Sequence, residues 1–221
     1  MTTYDLISCD INNATLHGLH APVDNSIALA VHVHGTGGDF YSNPFIEPLR
    51  KCYRAAGISY LTANFPGCGE SAATEDFSAF GGAFEAWIDR LGWKGSIVLQ
   101  GHSLGALKAL NYVKDRSKLV PRINGLVLLS PFDIVAFYSK GDDNKAASVR
   151  ERVVQLLRSQ NPTDNIPKDL FDLWGISIKT FSELIVEGGP ADQFPSRKGS
   201  VGHHLSQISI PTFIAIGHED F

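Results

Sequence analysis

The sequence predicts an α/β fold in which helices cover both faces of a mostly parallel β-sheet. Four short apolar runs, rich in β-branched residues, have the length and composition of buried strands. These runs lie at residues 27–33, 59–65, 96–99 and 125–129. Stretches with helical periodicity alternate with them, as in a parallel sheet joined by crossover helices. The helical stretches lie at residues 45–56, 77–91 and 104–113.

Length and composition indicate a single globular domain. The chain has 221 residues, of which 43% are hydrophobic and 19% charged, enough to bury a sizeable core. A formal net charge of −4 gives no electrostatic reason to expect nucleic acid or an acidic membrane surface as a partner. No apolar run approaches the roughly 20 residues of a membrane helix, and the first residues lack the layout of a secretory signal.

Cysteine usage bears on the compartment. The three cysteines include no CxxC pair, which argues against both a disulfide framework and a structural zinc site. This pattern suits a reducing environment, and we expect a cytoplasmic protein.

Taken in order, the first elements read as an edge hairpin followed by strand–helix units. Segments 4–11 and 15–20 alternate apolar and polar residues, which favours a hairpin at the sheet edge. The helix at 45–56 is expected to begin near Pro48, because proline fits the first turn. Gly57 and Gly92 follow helical stretches where a left-handed cap is needed.

The strand–helix alternation stops after residue 130. Residues 131–207 contain helical patterns at 146–158 and 178–187, joined by loop-forming segments. Such a segment cannot continue the sheet, so we expect it to pack over one end as a cap. The core is then formed by residues 1–130 and 208–221, with strand character returning at 208–216.

The stretch GHSLG places Ser103 between Gly101 and Gly105, after a predicted strand and before a predicted helix. This G-x-S-x-G pattern is typical of a sharp turn that exposes a nucleophilic hydroxyl. The helix N-terminus contributes partial positive charge where an oxyanion would form. The alternative is a serine that merely caps the helix.

A second glycine-rich turn, in VHVHGTGGDF, follows an earlier predicted strand. It does not fit the G-x-G-x-x-G dinucleotide pattern, because Phe40 stands at the last position. His32 and His34 lie two apart with no third ligand nearby in sequence, so we expect a loop-shaping role for them rather than a metal site.

Together the two motifs resemble the serine-type α/β-hydrolases, over essentially the whole chain. The resemblance implies an α/β-hydrolase fold with a helical cap, and an oxyanion hole formed by the N–H groups of Thr36 and Leu104. We also expect His34 and Gly35 to contribute to substrate binding. The stretch HGTGGDFYSNPF further resembles a subgroup that includes siderophore esterases.

The resemblance implies a triad in the chain order nucleophile, acid, histidine. The turn after the predicted strand at 208–216 supplies Asp220 as the acid that orients the imidazole. Glu219 and Asp133 are alternatives, and any of the three could instead be a solvated loop carboxylate.

No histidine occupies the position that the family pattern requires for the general base. His203 and His204, at the end of the cap, are alternatives. We expect instead that the native chain continues beyond Phe221 with a further strand and helix, and that it carries the base there.

Serine chemistry points to a small-molecule ester, thioester or amide substrate, with no metal or organic cofactor. Aromatic residues of the cap are candidates for an apolar pocket, although packing of cap on core explains them equally well. They are Phe132, Phe137, Tyr138, Phe171 and Trp174. The leading hypothesis is a carboxylic-ester hydrolase. The alternatives are a thioesterase, peptidase-like hydrolase or acyltransferase of the same fold, and a catalytically silent binding scaffold.

Overall fold

The computed structural model describes residues 4–11, 14–66, 77–115, 118–139, 143–171, 176–186, 189–194 and 204–217. Seven strands form one sheet. In chain order they are β1 (Asp5–Ile11), β2 (Ala14–Ala21), β3 (Ala28–Val33), β4 (Ile58–Ala63), β5 (Ser96–His102), β6 (Ile123–Leu129) and β7 (Thr212–Ala215). Their spatial order is β1-β2-β4-β3-β5-β6-β7.

Six α-helices accompany the sheet in the described part of the chain. They are α1 (Ile46–Ala55), α2 (Phe80–Arg90), α3 (Leu104–Lys114), α4 (Ile134–Ser139), α5 (Asp143–Ser159) and α6 (Ile178–Ile185). Short 3₁₀ turns lie at Val120–Arg122 and His204–Gln207. None of the described helices has the length and apolar character needed to cross a membrane.

The strand pairing confirms the predicted fold class. From β4 through β3, β5 and β6 to β7, every neighbouring pair is parallel. β1 and β2 form the predicted antiparallel hairpin, and β2 pairs antiparallel with β4. The sheet is therefore mostly parallel, with an antiparallel hairpin at one edge.

Alternate side chains of the central strands face opposite layers of helices. On β3, Leu29 and Val31 belong to a large apolar cluster with residues of α2 and α3. Ala30 lies in a smaller cluster on the other face, together with Ile46 of α1 and Tyr60 of β4. Helices thus cover both faces of the sheet.

The segment between β6 and β7 packs against the start of α3. Its helices share an apolar cluster with two residues of α3, Leu104 and Leu107. Ile134 of α4, Val153 of α5 and Phe181 of α6 are buried in this cluster. The inserted helices therefore lie beside the first turn of α3, which follows Ser103 directly.

Three details differ from the sequence-based expectation or refine it. α4 lies where no helix was predicted. β7 is shorter than predicted: it begins at Thr212, and the preceding Ile208 and Ile210 pack against the main core outside the strand. Gly57 and Gly92 have φ angles of 73° and 61°, which confirms the expected left-handed residues after α1 and α2.

Candidate active site

Ser103 is the single residue between β5 and α3, and its backbone is strained. Its φ of 52° and ψ of −122° lie in a region that residues with a Cβ rarely adopt. Such a conformation costs on the order of 1–3 kcal/mol and persists only where the surroundings enforce it. The chain thereby turns sharply from strand to helix at one serine.

The two flanking glycines are required by close backbone approach. A Cβ on Gly101 would lie 2.3 Å from the carbonyl oxygen of Gly105. A Cβ on Gly105 would lie 2.2 Å from the carbonyl oxygen of Val33 and 2.5 Å from that of His34. The first turn of α3 therefore sits directly against the ends of β5 and β3; a side chain at Gly101 would push α3 away from β5, and one at Gly105 would push it away from β3.

The hydroxyl of Ser103 does not cap α3. No side-chain hydrogen bond is formed to the first turn of the helix, and among the described residues Oγ has no hydrogen-bond partner. The backbone N–H of Ser103 donates to the carbonyl oxygen of Leu129 at 2.9 Å. The geometry therefore differs from that of an N-cap serine, whose oxygen accepts from the backbone two or three residues ahead.

The glycine-rich turn after β3 lies against Ser103. A Cβ placed on Gly35 would be 3.0 Å from Ser103 Cβ and 3.5 Å from Ser103 Oγ. The N–H of Gly38 donates to the carbonyl oxygen of Gly35 at 3.1 Å, and Gly37 has a φ of 63°. This tight turn needs a glycine at Gly37 and brings the backbone of the loop within contact distance of the hydroxyl.

Two backbone N–H groups near Ser103 have no acceptor among the described residues. Thr36 and Leu104 both line the cavity next to Ser103. Neither N–H donates to another residue of the described chain. Leu104 is the first residue of α3, where the N–H groups have no intrahelical acceptor and carry the positive end of the helix dipole. The two groups are therefore available to bind a negatively charged oxygen.

His34 is buried and hydrogen-bonds to the backbone of the glycine-rich turn. Its side chain is 2% exposed, and Nδ1 lies 2.9 Å from the carbonyl oxygen of Gly35. Because a carbonyl oxygen only accepts, Nδ1 carries the proton of this hydrogen bond. The ring packs beside Phe65, with ring centroids 5.8 Å apart. His34 and Gly35 both line the cavity next to Ser103.

His32 is buried, neutral at pH 7, and part of a hydrogen-bond network with Tyr53 and Gln100. Tyr53 donates to Gln100 Oε1 at 2.7 Å, and Gln100 Nε2 donates to His32 Nδ1 at 2.8 Å. Burial, with His34 and His102 nearby, lowers the pKa of His32 to about 3. Among the described residues, no group of three or more His, Cys, Asp or Glu is arranged to hold a metal ion.

The loop after Gly38 is held by two side chains that the sequence analysis missed. Asp39 Oδ1 accepts from the N–H groups of Tyr41 and Ser42 at 2.8 and 2.6 Å. Asn64 Oδ1 accepts from the N–H of Phe40 at 3.1 Å. An aspartate that bonds the backbone two residues ahead is a common turn signal, and it was readable in the sequence.

Ser103 opens into a cavity of about 420 Å³ between the glycine-rich turn and the inserted helices. Its apolar wall comes largely from those helices and the segments joining them. The wall residues are Phe132, Ile134, Phe171 and Leu184. The cavity is thus polar where Ser103 and the loop meet, and apolar on the side of the insertion.

Not every predicted aromatic residue reaches this cavity. Phe132 does, but Phe137 does not line it. Phe137 is 47% exposed and packs on Phe132, with ring centroids 5.4 Å apart. The placement of Phe137 in the pocket is corrected accordingly, because this side chain points partly to solvent. Trp174 lies outside the described residues.

Of the three candidates for the carboxylate of the triad, the structure describes one, Asp133. Asp220 and Glu219 lie outside the described residues. Asp133 is buried, and its Oδ1 accepts from the N–H of Ala136 at 2.8 Å, the contact of a helix N-cap on α4. This contact gives Asp133 a structural role.

The described histidines include no clear partner for the Ser103 hydroxyl. His102 lines the cavity, but its ring packs edge-on against Phe45 with centroids 4.8 Å apart. His203 lies outside the described residues. His204 begins the 3₁₀ turn His204–Gln207, and its side chain is not described.

Solved structures with this fold include several esterases and lipases. A soluble variant of monoglyceride lipase from Saccharomyces cerevisiae, in complex with a substrate analogue, matches with a TM-score of 0.69 and 15% identity, over 100% of this chain and 79% of that one. Est1E from Butyrivibrio proteoclasticus with bound ferulic acid matches with a TM-score of 0.54 and 20% identity, over 79% and 68%. The Pyrococcus furiosus esterase Pf2001 gives 0.57 and 18%, over 96% and 69%.

Identities this low establish a shared fold and nothing finer. No curated protein matches the sequence. The sequence pattern of the alpha/beta hydrolase family matches residues 30–204, which contain Ser103 and both glycine-rich turns. The chain belongs to the alpha/beta hydrolase family.

Proposed function

We propose that the protein is a serine hydrolase that cleaves carboxylic esters through an acyl-enzyme. The observation that carries this proposal is the placement of Ser103. A strained backbone presents its hydroxyl, without a hydrogen-bond partner among the described residues, to a cavity lined by Thr36 and Leu104. A helix cap or a packing serine needs neither the strain nor the two unused N–H groups.

The chemistry follows from this arrangement. Ser103 Oγ attacks the ester carbonyl carbon while a histidine takes the hydroxyl proton. The carbonyl oxygen becomes an oxyanion, and the N–H groups of Thr36 and Leu104 donate to it. Collapse breaks the bond to the alcohol, which leaves with the proton held by the histidine. Water then takes the place of the alcohol and attacks the acyl carbonyl carbon while the histidine accepts its proton. The bond to Ser103 Oγ breaks, the histidine returns the proton to Oγ, and the carboxylic acid leaves.

We propose that the acid and the base of the triad both come from residues outside the described part of the chain. Asp220 is the proposed carboxylate, because Asp133 is engaged in capping α4. The proposed base is a histidine other than His34, whose Nδ1 is bonded to the carbonyl oxygen of Gly35. His102 is disfavoured because it precedes the nucleophile directly and packs on Phe45.

The cavity supports an ester with an apolar acyl or alcohol group. The side chains of Phe132, Ile134, Phe171 and Leu184 form a wall without charge beside Ser103. Among the structural neighbours, Est1E was solved with ferulic acid and the yeast monoglyceride lipase variant with a substrate analogue. Since the stretch HGTGGDFYSNPF resembles a subgroup with siderophore esterases, the finer substrate class we propose to test includes a siderophore ester.

The proposal is tested by ester hydrolysis with the full-length protein. The panel contains 4-nitrophenyl esters of increasing acyl length, a siderophore ester and an acyl thioester. Ser103→Ala should lower kcat/KM by at least about 10³-fold on every hydrolysed substrate. Ser130→Ala is the matched control, because Ser130 also ends a strand with positive φ (41°) but does not line the cavity. Full activity in Ser103→Ala would refute the assignment of Ser103 as the nucleophile. If only the thioester were hydrolysed, the proposed ester hydrolysis would be wrong and the protein would be a thioesterase.

A further inference from the structure

One wall of the active-site cavity carries a negative charge. Asp39 lies in the segment that follows the glycine-rich turn, and it lines the cavity together with Ser42 and Asn43. Among the described lining residues it is the only acidic one, and they include no lysine or arginine. The wall contributed by the inserted helices is apolar. The proposed hydrolysis gives the charge of Asp39 no role.

The Asp39 carboxylate is held in place through one of its two oxygens. Oδ1 accepts from the backbone N–H groups of Tyr41 and Ser42 at 2.8 and 2.6 Å. These bonds fix the carboxylate beside Ser42, which itself lines the cavity. The negative charge is therefore in position before any substrate arrives, which reduces the entropy lost on binding.

The second oxygen, Oδ2, is accessible and without a partner. It forms no hydrogen bond and no ion pair with any residue that the structure describes. Asp39 is half-buried, and since Oδ2 is not one of the buried polar atoms that lack a partner, it is in contact with solvent. A carboxylate oxygen in this state can accept a charge-assisted hydrogen bond from an ammonium group.

The neighbouring polar groups do not cancel the charge of Asp39. Ser42 and Asn43 are neutral, and no described lysine, arginine or histidine forms an ion pair with the carboxylate. The positive end of the α3 dipole lies at Leu104, where the proposed oxyanion forms. A part of the substrate that extends from the reacting carbonyl toward Asp39 therefore meets a negative potential.

We propose that Asp39 is a specificity-determining residue that selects esters carrying an ammonium group over neutral and anionic esters of the same size. The ammonium donates a hydrogen bond to Asp39 Oδ2, while an apolar group of the same ester packs on the wall that contains Phe132. This inference rests on the proposed ester hydrolysis at Ser103, and it adds the charge of the substrate.

The test compares kcat/KM of the full-length protein for esters that differ only in one terminal group. The 4-nitrophenyl esters of 6-aminohexanoic acid, heptanoic acid and heptanedioic acid (as the monoester) end in an ammonium, a methyl and a carboxylate group. The butyrates of 5-aminopentanol, hexanol and 6-hydroxyhexanoate place the same three groups on the alcohol. In at least one set, the cationic ester should exceed the neutral one by about fivefold, the gain expected for one partly exposed ion pair, and the anionic ester should be slowest.

The outcomes separate this inference from the proposed function. Hydrolysis with equal kcat/KM for the three charges in both sets would overturn the role of Asp39 and leave ester hydrolysis intact. A preference for the anionic ester would do the same. If none of the six esters were hydrolysed, the proposed function would fail together with this inference.

A variant assigns the preference to Asp39. Asp39→Asn keeps an oxygen that accepts from Tyr41 and Ser42 but removes the charge, so the cationic ester should exceed the neutral one by less than about twofold. The readout is a ratio, so a loop shift that slows all esters equally does not imitate this result. Asp24→Asn is the matched control, because Asp24 is an exposed carboxylate before the start of β3 and does not line the cavity. A preference that survives Asp39→Asn would refute the assignment.

A second variant covers the case in which Asp39→Asn does not fold. Ser42→Lys places an ammonium beside Asp39 at an exposed position, and the backbone N–H of residue 42 can still donate to Oδ1. Ser42→Met adds a side chain of similar length without charge. The preference for the cationic ester should be lost in Ser42→Lys and kept in Ser42→Met, and an equal preference in both would overturn the proposal.

Discussion

Replacing Gly105 by alanine sets helix propensity against packing, and the structure decides which effect wins. Gly105 is the second residue of α3. In a helix, alanine is favoured over glycine by about 1 kcal/mol, so propensity alone predicts a more stable protein. The environment of Gly105 predicts the opposite, because the new methyl group would meet backbone atoms of the turn after β3.

The magnitude follows from the distances. The alanine Cβ would lie 2.2 Å from the carbonyl oxygen of Val33 and 2.5 Å from that of His34, whereas real Cβ atoms essentially never come within 3.0 Å of a heavy atom outside their own residue and its chain neighbours. Relief needs a shift of about 0.8 Å, and backbone atoms cannot rotate away. Overpacking of this kind costs up to about 3 kcal/mol or more. After subtraction of the propensity gain, we expect a net loss of about 2 kcal/mol.

Thermal unfolding of the full-length protein measures this loss. For a protein of this size, about 2 kcal/mol corresponds to a fall in Tm of about 4–8 °C. The matched control is Gly82→Ala in α2, where a Cβ would meet nothing within 4 Å, and Tm should rise slightly. Ester hydrolysis should also be lost in Gly105→Ala, because moving α3 away from β3 separates Ser103 from the glycine-rich turn that carries Thr36. An unchanged or higher Tm with full activity would refute the close approach of α3 to β3.

Three further predictions concern the acid, the pocket and pH. Asp220→Asn should lower kcat by about 10⁴-fold, whereas Asp133→Asn, which keeps the oxygen that caps α4, should leave kcat within about twofold; the reverse result would move the acid to Asp133. Phe132→Ala should raise KM for long-chain esters at least about tenfold, while Phe137→Ala should not, and equal effects would contradict the cavity wall. Because burial lowers the pKa of His32 from 6.5 to about 3, the unfolded chain takes up its proton first. The free energy of unfolding should be greatest above pH 6.5 and should fall toward pH 3, by up to about 1.4 kcal/mol per pH unit. Urea titrations at several pH values should show a shallower fall for His32→Gln. The same pH dependence in His32→Gln and the unchanged protein would contradict this prediction.

Most of the fold was predictable because local patterns and tertiary structure agree. The apolar run at 96–99, the turn at Ser103 and the stripe of leucines in α3 each specify their element within about ten residues. α4 was missed because its six residues, IVAFYS, are too short and too uniformly apolar to show a helical period. β7 was overextended because Ile208 and Ile210 have strand-like composition but pack on the core.

The candidate site likewise contains residues that sequence motifs suggest and residues whose role depends on tertiary packing. Ser103 could be proposed as the nucleophile from its motif, and Thr36 and Leu104 as oxyanion donors from the family resemblance. The contributions of Ile134 and Leu184 to the cavity wall could not, since they depend on how the inserted helices pack on α3.

The buried Arg50 shows the same limit from another side. In the sequence, Glu47 and Arg50 are three residues apart in α1, the spacing of an ordinary ion pair on an exposed helix surface. Only the packing of α1 on the sheet, with the Tyr4 ring over the guanidinium, buries the Arg50 side chain.

Covalent labelling of the full-length protein with a fluorophosphonate tests the central claim most directly. The reagent reacts with an activated serine hydroxyl next to an oxyanion hole, and mass spectrometry of the digested protein locates the adduct. We predict one adduct, on Ser103, and its loss in Ser103→Ala. An adduct on a different residue, or undiminished labelling of Ser103→Ala, would contradict the account.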